Sequence, residues 1–415
     1  MAERDRESRT ALAAALAIVS LLYFAWLLGV PLLWEVIQPD THSYWEIARN
    51  LADSGRFSAD GTNPTARREL LYPAFLSLFI KAGLAPAVLD DAHGAWAVIL
   101  VQAGLYVAAL ALCAQAFARP AGARASSLAM VLGAFFLPTA QFAFQLISEG
   151  TFMFLLAASF AALDRWLARG GALRGMLAAC LIGAMALVKS VMLLFPLVLL
   201  GHALFFTRPR RWAVLWVTLL ALALPAMWTA RNMSEFGRVI VSTTDGGSSL
   251  YRGNMALYYQ PPSMSDPLVP EPVRQEAARL GPGREDAYFA SLAKEFLTQS
   301  PAQTLMHLGY KLMVLLVGLP LSASHVALMI VRSAFWAVVL LRFYSLWRGA
   351  DPVARLALLL ASYITAVHTV IFSTPRYMAP VMFLLLPLCV SAAQSLWRGS
   401  LGAGAAAARA PAKRQ

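Results

Sequence analysis

Two carboxylates and three basic residues of this chain stand at or inside apolar runs, where charge is expensive and a functional reason is the default expectation. Asp40 follows the first apolar run at once, in Gln38-Pro39-Asp40. Its carboxylate falls at the membrane–water boundary, partly shielded from bulk solvent, a setting in which a carboxylate can act as a base. Asp before a helical run is also a common N-cap, and residue type alone leaves both readings open. Glu149, in Gln145-Leu-Ile-Ser148-Glu149, sits where one apolar run ends and another begins, with the same two readings, chemistry or cap. The cations are Lys189 in Ala-Leu-Val-Lys189-Ser-Val-Met, Arg332 in Leu-Met-Ile-Val-Arg332-Ser, and Arg376 in Ser-Thr-Pro375-Arg376-Tyr377. Three cations converging near exposed carboxylates suit an anionic group, and phosphate is the commonest such ligand at a membrane interface. Snorkelling to lipid headgroups is the alternative, strongest for Arg332. A further set is Trp228-Thr-Ala-Arg231-Asn232 with Gly246-Gly247 and Gly253-Asn254, although glycines and asparagines of this kind commonly serve turns.

The elements that must position these groups are membrane helices and the loops between them. The chain has 415 residues, 59% of them hydrophobic and only 13% charged, where a soluble domain carries about 25% charge. Its mean hydropathy is +0.61. Runs of about 20 apolar residues match a hydrocarbon core about 30 Å thick, and because they are continuous rather than alternating, helices are expected and not a barrel. The pattern predicts an all-α polytopic membrane protein of about ten (nine to twelve) transmembrane helices. The spacing puts them at 11–33, 94–118, 126–146, 150–168, 173–188, 190–206, 212–230, 324–346, 353–373 and 377–397.

Residues 1–10 read as a cytoplasmic N-terminus leading into an uncleaved first helix, 11–33. A first exterior loop covers 34–93, spans two to seven 94–230, a second exterior loop 231–301, spans eight to ten 324–397, and a cytoplasmic tail 398–415. Segment 302–320 reads as interfacial or re-entrant, because counting it as a span would put Arg342, Arg348, Arg355 and the basic tail outside, against the positive-inside rule. With this topology all but five of the 22 carboxylates, namely Glu3, Asp5, Glu7, Asp164 and Asp351, face the exterior. In the first loop Tyr44, Ile47, Ala48 and Leu51 recur at helical spacing with Glu46, Arg49, Asn50 and Asp53 between them, an amphipathic surface helix ended by Gly55. Segment 70–84 is too short to span and reads as a second interfacial helix. In the second loop, the residues around Asp245-Gly246-Gly247 read as a short hairpin and 261–284 as irregular surface structure.

The net charge of +12 is scattered through short loops, where it fixes orientation, and nucleic acid is excluded as a partner. The cysteines, Cys113, Cys180 and Cys389, lie far apart inside apolar runs and lack metal-ligand spacing.

The order of motifs carries a resemblance: Asp40, Tyr44, Ala48, Gly55-Arg-Phe57 and Leu71-Tyr72-Pro73, then Ser148-Glu149, then Arg231-Asn232 with Gly253-Asn254, then Arg376-Tyr377 before a last span. It resembles the GT-C class of integral membrane glycosyltransferases, in the branch of the protein O-mannosyltransferases and the bacterial lipid A aminoarabinose transferase, over about residues 11–397. The resemblance implies transfer of a sugar from a polyprenyl-phosphate donor to a lipid, glycan or protein hydroxyl, at the periplasmic face of a bacterial inner membrane. Asp40 is then the base and Glu149 the second acidic position. Tyr44, Arg67, Arg68, Tyr72, Lys189, Arg231, Asn254, Arg332, Arg376 and Tyr377 form the candidate substrate-binding set. No cofactor is required by that scheme. Some members of the class use a divalent cation, and Asp40 with Glu149 could offer it carboxylate oxygens. The class often has Arg-Pro where this chain has Lys189-Ser190, and no large soluble domain follows the last span. Competing readings are a transporter or flippase of lipid-linked precursors and a non-catalytic scaffold. Against transport, ionisable residues are scarce at span centres. An outward cavity joining both carboxylates to a basic residue separates an enzyme from a scaffold.

Overall fold

Long apolar helices dominate the computed structural model, which describes residues 36–90, 93–206, 211–254, 269–281, 284–319, 322–348 and 351–408. The first expected span, 11–33, lies outside the described residues. Among them there is no sheet, only an isolated bridge between Ser58 and Pro64.

Two helices of the first loop come first, α1 (Pro39–Ser54) and α2 (Leu71–Lys81), packed on each other. The membrane helices follow: α3 (Trp96–Ala121), α4 (Ala123–Phe135), the short α5 (Leu137–Ala140), α6 (Glu149–Arg169), α7 (Ala172–Ala186), α8 (Phe195–Phe206) and α9 (Arg211–Phe236). The second loop contributes α10 (Gly246–Asn254), α11 (Glu271–Leu280) and α12 (Arg284–Gln299). The chain then runs through α13 (Pro301–Leu316), α14 (Ala323–Arg348), α15 (Pro352–Val370) and α16 (Pro375–Ala408). The protein is an all-helical, polytopic membrane protein, with six helices long and apolar enough to span among the described residues: α3, α6, α9, α14, α15 and α16. A seventh span would join α4 to Leu137–Ala143 across a 65° bend. That bend falls two residues before Pro138, which lacks an N–H and whose ring would clash with the carbonyl four residues back.

The sequence spacing at 173–188 and 190–206 is realised as shorter apolar helices, α7 and α8, the latter entered through a 3₁₀ turn at Ser190–Leu194. Between them Lys189 is extended, with φ −142° and ψ 111°. The 302–320 segment is a 16-residue helix, α13, and is not among the helices long and apolar enough to span.

The last helix is the centre of the bundle. From Met378 to Val390 nearly every side chain of α16 is buried, and it packs against α3, α4, α6, α13, α14 and α15. A helix apolar on all faces belongs in such a position, since it has no polar face to give to water.

Two local expectations are corrected. The hairpin around Asp245 is instead helix α10. Its weak helix formers, Gly246 and Gly247, are held by a tertiary cap: Asp286 of α12 accepts from the Gly247 amide at 2.6 Å and the Ser248 amide at 3.3 Å. A Cβ on Gly247 would lie 1.9 Å from the Asp286 carbonyl oxygen, so only glycine allows this approach. The irregular stretch 261–284 contains α11, in which Pro272 occupies the first turn and Gly281 ends the helix at φ 72°. Proline in a first turn starts a helix, because that N–H has no intrahelical partner anyway.

Candidate active site

Backbone ties between distant segments bring the first carboxylate to the second. The Leu146 amide donates to the Val36 carbonyl at 2.9 Å, and Thr41 Oγ1 donates back to the Leu146 carbonyl at 3.0 Å. The start of α1 is thereby fixed beside the start of α6. Neither carboxylate is spent on capping. The cap of α1 is Gln38, in a reciprocal box with Thr41, and Asp40 lies within the first turn. The cap of α6 is Ser148, with Glu149 the first helical residue.

Both acids turn to cations. Asp40 Oδ1 accepts from Arg68 Nη2 at 2.8 Å and Oδ2 from Arg376 Nη2 at 2.7 Å. Arg376 Nε lies 2.9 Å from Glu149 Oε1, which also accepts from Lys189 Nζ at 2.9 Å. The result is an unbroken chain of alternating charge, Arg68–Asp40–Arg376–Glu149–Lys189. The Glu149 side chain is 2% exposed, whereas Asp40 retains 25%. Burial alone would raise the Asp40 carboxyl, but the guanidiniums of Arg376 and Arg68 outweigh it and hold the group well below the usual carboxylate range.

A layer behind these groups keeps them in register. Tyr44 OH lies 3.3 Å from Ser148 Oγ, and Arg68 rests over the Tyr44 ring at 4.8 Å. Tyr72, fully buried, packs edge-on to Tyr44 and donates to Gln102 Oε1 at 2.8 Å, while Gln102 donates to the Gln145 carbonyl at 2.9 Å. Glu69 accepts from the Ser190 amide at 2.9 Å, tying the Arg68 loop to the Lys189 loop.

The cations face a cavity of about 460 Å³. Its polar lining is Tyr44, Arg67, Arg68, Glu69, Lys189, Thr243, Asp245, Arg376 and Tyr377. Its apolar lining includes Val191, Leu194, Val367, Ile371 and Phe372. His368 also lines it and stacks on Tyr377 with ring centroids 4.1 Å apart. The expected cavity joining both carboxylates to a basic residue is not the one observed: Arg68, Lys189 and Arg376 line it, whereas Asp40 and Glu149 do not and reach it only through their ion pairs with those cations.

The remaining expected residues stand elsewhere. Arg231 donates to the Thr65 and Phe57 carbonyls and lies over Trp228, clasping the 57–65 loop to α9. Asn254 binds the carbonyls of Leu250 and Val370. Arg332, 7% exposed, donates to the Val317 carbonyl at 3.4 Å. Missing from the sequence reading were Thr41, Glu69, Gln102, His368 and Lys311. Gln102, His368 and Lys311 each interrupt an apolar helix, the one signal that could have found them.

A resident divalent cation does not fit the carboxylates as arranged. Three of their four oxygens are engaged by arginine or lysine, and no group of three metal-ligand side chains converges among the described residues.

No family model and no curated protein matches the chain. Against the crystal structure of ArnT from Cupriavidus metallidurans in the apo state, the TM-score is 0.55 at 16% identity, over 96% of this chain and 64% of that one. The fold is similar to that of ArnT. ArnT is an aminoarabinose transferase of the GT-C class, so the membrane fold implied by the motif order is the one observed. The chain spans just under two thirds of the length of ArnT, and at this identity the likeness to ArnT speaks for the fold alone.

Proposed function

We propose that this chain is a membrane glycosyltransferase that moves a sugar from a polyprenyl-phosphate donor to an acceptor hydroxyl, working at the periplasmic face of a bacterial inner membrane. The observation that carries the reading is the charge chain at the cavity: three cations fixed by two carboxylates, lining a space that the apolar side chains of Val191, Leu194, Val367, Ile371 and Phe372 also line. A lipid-borne phosphodiester has the matching chemistry, an anion beside hydrocarbon. The fold similarity to ArnT supports the same reading.

In the reaction, the acceptor oxygen bonds to the anomeric carbon while the bond from that carbon to the phosphate oxygen breaks. The departing phosphate keeps the electron pair, and Arg68, Lys189 and Arg376 stabilise the charge it gains. The acceptor proton passes to Asp40, which does not line the cavity, so the acceptor hydroxyl must approach it at its 25% exposed edge beside Arg68 and Arg376. Its partners make Asp40 a weak base, so the transfer comes late, once bond formation to carbon has made the hydroxyl proton strongly acidic.

The direct test is incubation of the purified chain with radiolabelled decaprenyl-phosphate sugars and lipid, glycan or peptide acceptors. Label should move to one acceptor class, and failure with every pair by folded protein would overturn the reading. Orientation is tested separately in intact cells. A cysteine replacing the exposed Ser291 of α12 should react with a membrane-impermeant thiol reagent, and one replacing Gly404 should not. Labelling at Gly404 would reverse the C-terminal half.

A further inference from the structure

Lys311, midway along α13, is completely buried, yet no carboxylate pairs with it among the described residues. Its ammonium group donates to three neutral oxygens: Asn254 Oδ1 at 3.0 Å, the Val370 carbonyl at 2.8 Å and the Ile371 carbonyl at 3.3 Å. Three donors meet three acceptors, so nothing polar on the group is left over. The two carbonyls belong to the last residue of α15 and to Ile371, its C-cap, where the final C=O groups of a helix lack intrahelical partners and the helix dipole is negative. Asn254, at the end of α10, donates to the same two carbonyls at 3.1 and 3.4 Å. The neighbouring Gly253 approaches so closely that a Cβ there would lie 2.0 Å from the Ile371 oxygen.

Three elements therefore meet on one helix end, and the chain leaving that end enters the site. Ile371 and Phe372 line the cavity wall, and Arg376 comes five positions after Ile371, at the start of α16. From the other side, α10 supplies Gly246 and Ser249 to the same cavity. Behind the turn, Gly318 brings Arg332 and Pro375 together, its ideal Cβ position lying 3.0 Å from Arg332 Nη1 and 3.3 Å from Pro375.

We propose that Lys311 is a positioning residue for Arg376: by locking the end of α15 to α10, it fixes the turn that carries Arg376 to its place between Asp40 and Glu149. Lys311 touches neither the cavity nor the reacting groups and acts only through that turn. The placement of Arg376 is independent of the glycosyltransferase reading; only the titration with a lipid phosphate rests on it.

Hydrogen exchange on the full chain in nanodiscs reads the placement directly. In Lys311→Met the Ile371 amide, bonded to the Val367 carbonyl where α15 ends, and the Tyr377 amide, bonded to the Thr374 carbonyl where α16 begins, should exchange about fivefold faster or more, on the scale of one net hydrogen bond, with α3 unchanged. Lys311→Arg, which keeps the donors, should restore part of the protection. Asn254→Ala should show the same local loss if the methionine variant does not fold. Unchanged exchange at Ile371 and Tyr377, or uniform loosening of the whole bundle, would overturn the proposal. The second readout is titration with decaprenyl phosphate. Lys311→Met should weaken its binding about tenfold in the parent chain and less than twofold in an Arg376→Ala background, the non-additivity expected of residues acting as a unit. Equal losses in both backgrounds would overturn it. If Arg376→Ala itself binds decaprenyl phosphate normally, the phosphate reading of the cavity fails, and the exchange result still decides the role of Lys311.

Discussion

Asp40→Asn should lower turnover by roughly two to four orders of magnitude, the usual worth of a positioned base, in protein that folds and inserts normally. Folding is spared because α1 is held by other contacts: the Val36–Leu146–Thr41 ties, the Tyr44–Ser148 contact and the buried faces of Ile47 and Ala48. Asparagine keeps the shape and an acceptor oxygen for one guanidinium, and loses the charge and the ability to take a proton. The pH profile carries a second expectation with a definite sign. Because the two arginines depress the carboxyl, Asp40 stays ionised through the weakly acid range, and the acid limb due to it lies below the ordinary aspartate value of about 3.9. Replacing Arg68 by Gln leaves burial opposed by one fewer cation, so the limb moves upward. The linkage runs the same way: the stability from these pairs is present above the unfolded aspartate value and is lost only as pH falls through the lower, folded one. Rate measurements from pH 4 to 8 on the parent, Asp40→Asn and Arg68→Gln chains check the turnover loss and whether the parent shows no acid limb in that range; extending the Arg68→Gln and parent series to lower pH, as far as the fold survives, checks the upward movement. Normal turnover by the asparagine variant would remove Asp40 from the chemistry.

The acidic and basic candidates were legible for a simple reason. Asp40, Glu149, Lys189 and Arg376 each place charge beside hydrocarbon, and that is visible in a linear sequence. What sequence could not convey is which charges find one another. Arg332 carries the same signal as Arg376, yet it ends behind Pro375 on the Val317 carbonyl, because its direction depends on how α14 meets the end of α13. Arg68, merely one of two adjacent arginines in a polar loop, reaches Asp40 because Glu69 and Leu71 bind the Ser190 amide and the Leu187 carbonyl and draw the loop inward. Helix α10 was hidden for the opposite reason. Two glycines argue for a turn by propensity, and the cap that overrules them comes from Asp286, 39 positions away. The fold class, resting on length and apolar continuity, needed no such long-range knowledge. Element lengths did: the break at Lys189 is legible in the sequence, but the helices on either side, α7 and α8, are shorter than the spans expected there.

Arg376→Ala should reduce use of the donor by about two to three orders of magnitude, the scale of removing one oriented electrostatic partner of a developing charge, while acceptor use changes much less. Arg376 is the central link of the charge chain, one edge of its guanidinium on Asp40 and its Nε on Glu149. A lysine there keeps the charge but has a single ammonium, which cannot present two edges to two carboxylates, so Arg376→Lys should recover only part of the loss. The alanine variant also leaves Glu149 buried with Lys189 alone, and some loss of thermal stability will accompany the kinetic effect. The two are separable. Glu149→Gln in the Arg376→Ala background removes the under-compensated buried charge and should regain stability, yet it restores no cation for the phosphate and should not regain donor use. Steady-state kinetics with donor and acceptor varied independently, beside melting curves for the single and double variants, make the comparison. If donor use returns together with stability, Arg376 matters as a structural counter-ion to Glu149; if the acceptor's apparent constant rises while the donor's is unchanged, Arg376 does not hold the phosphate.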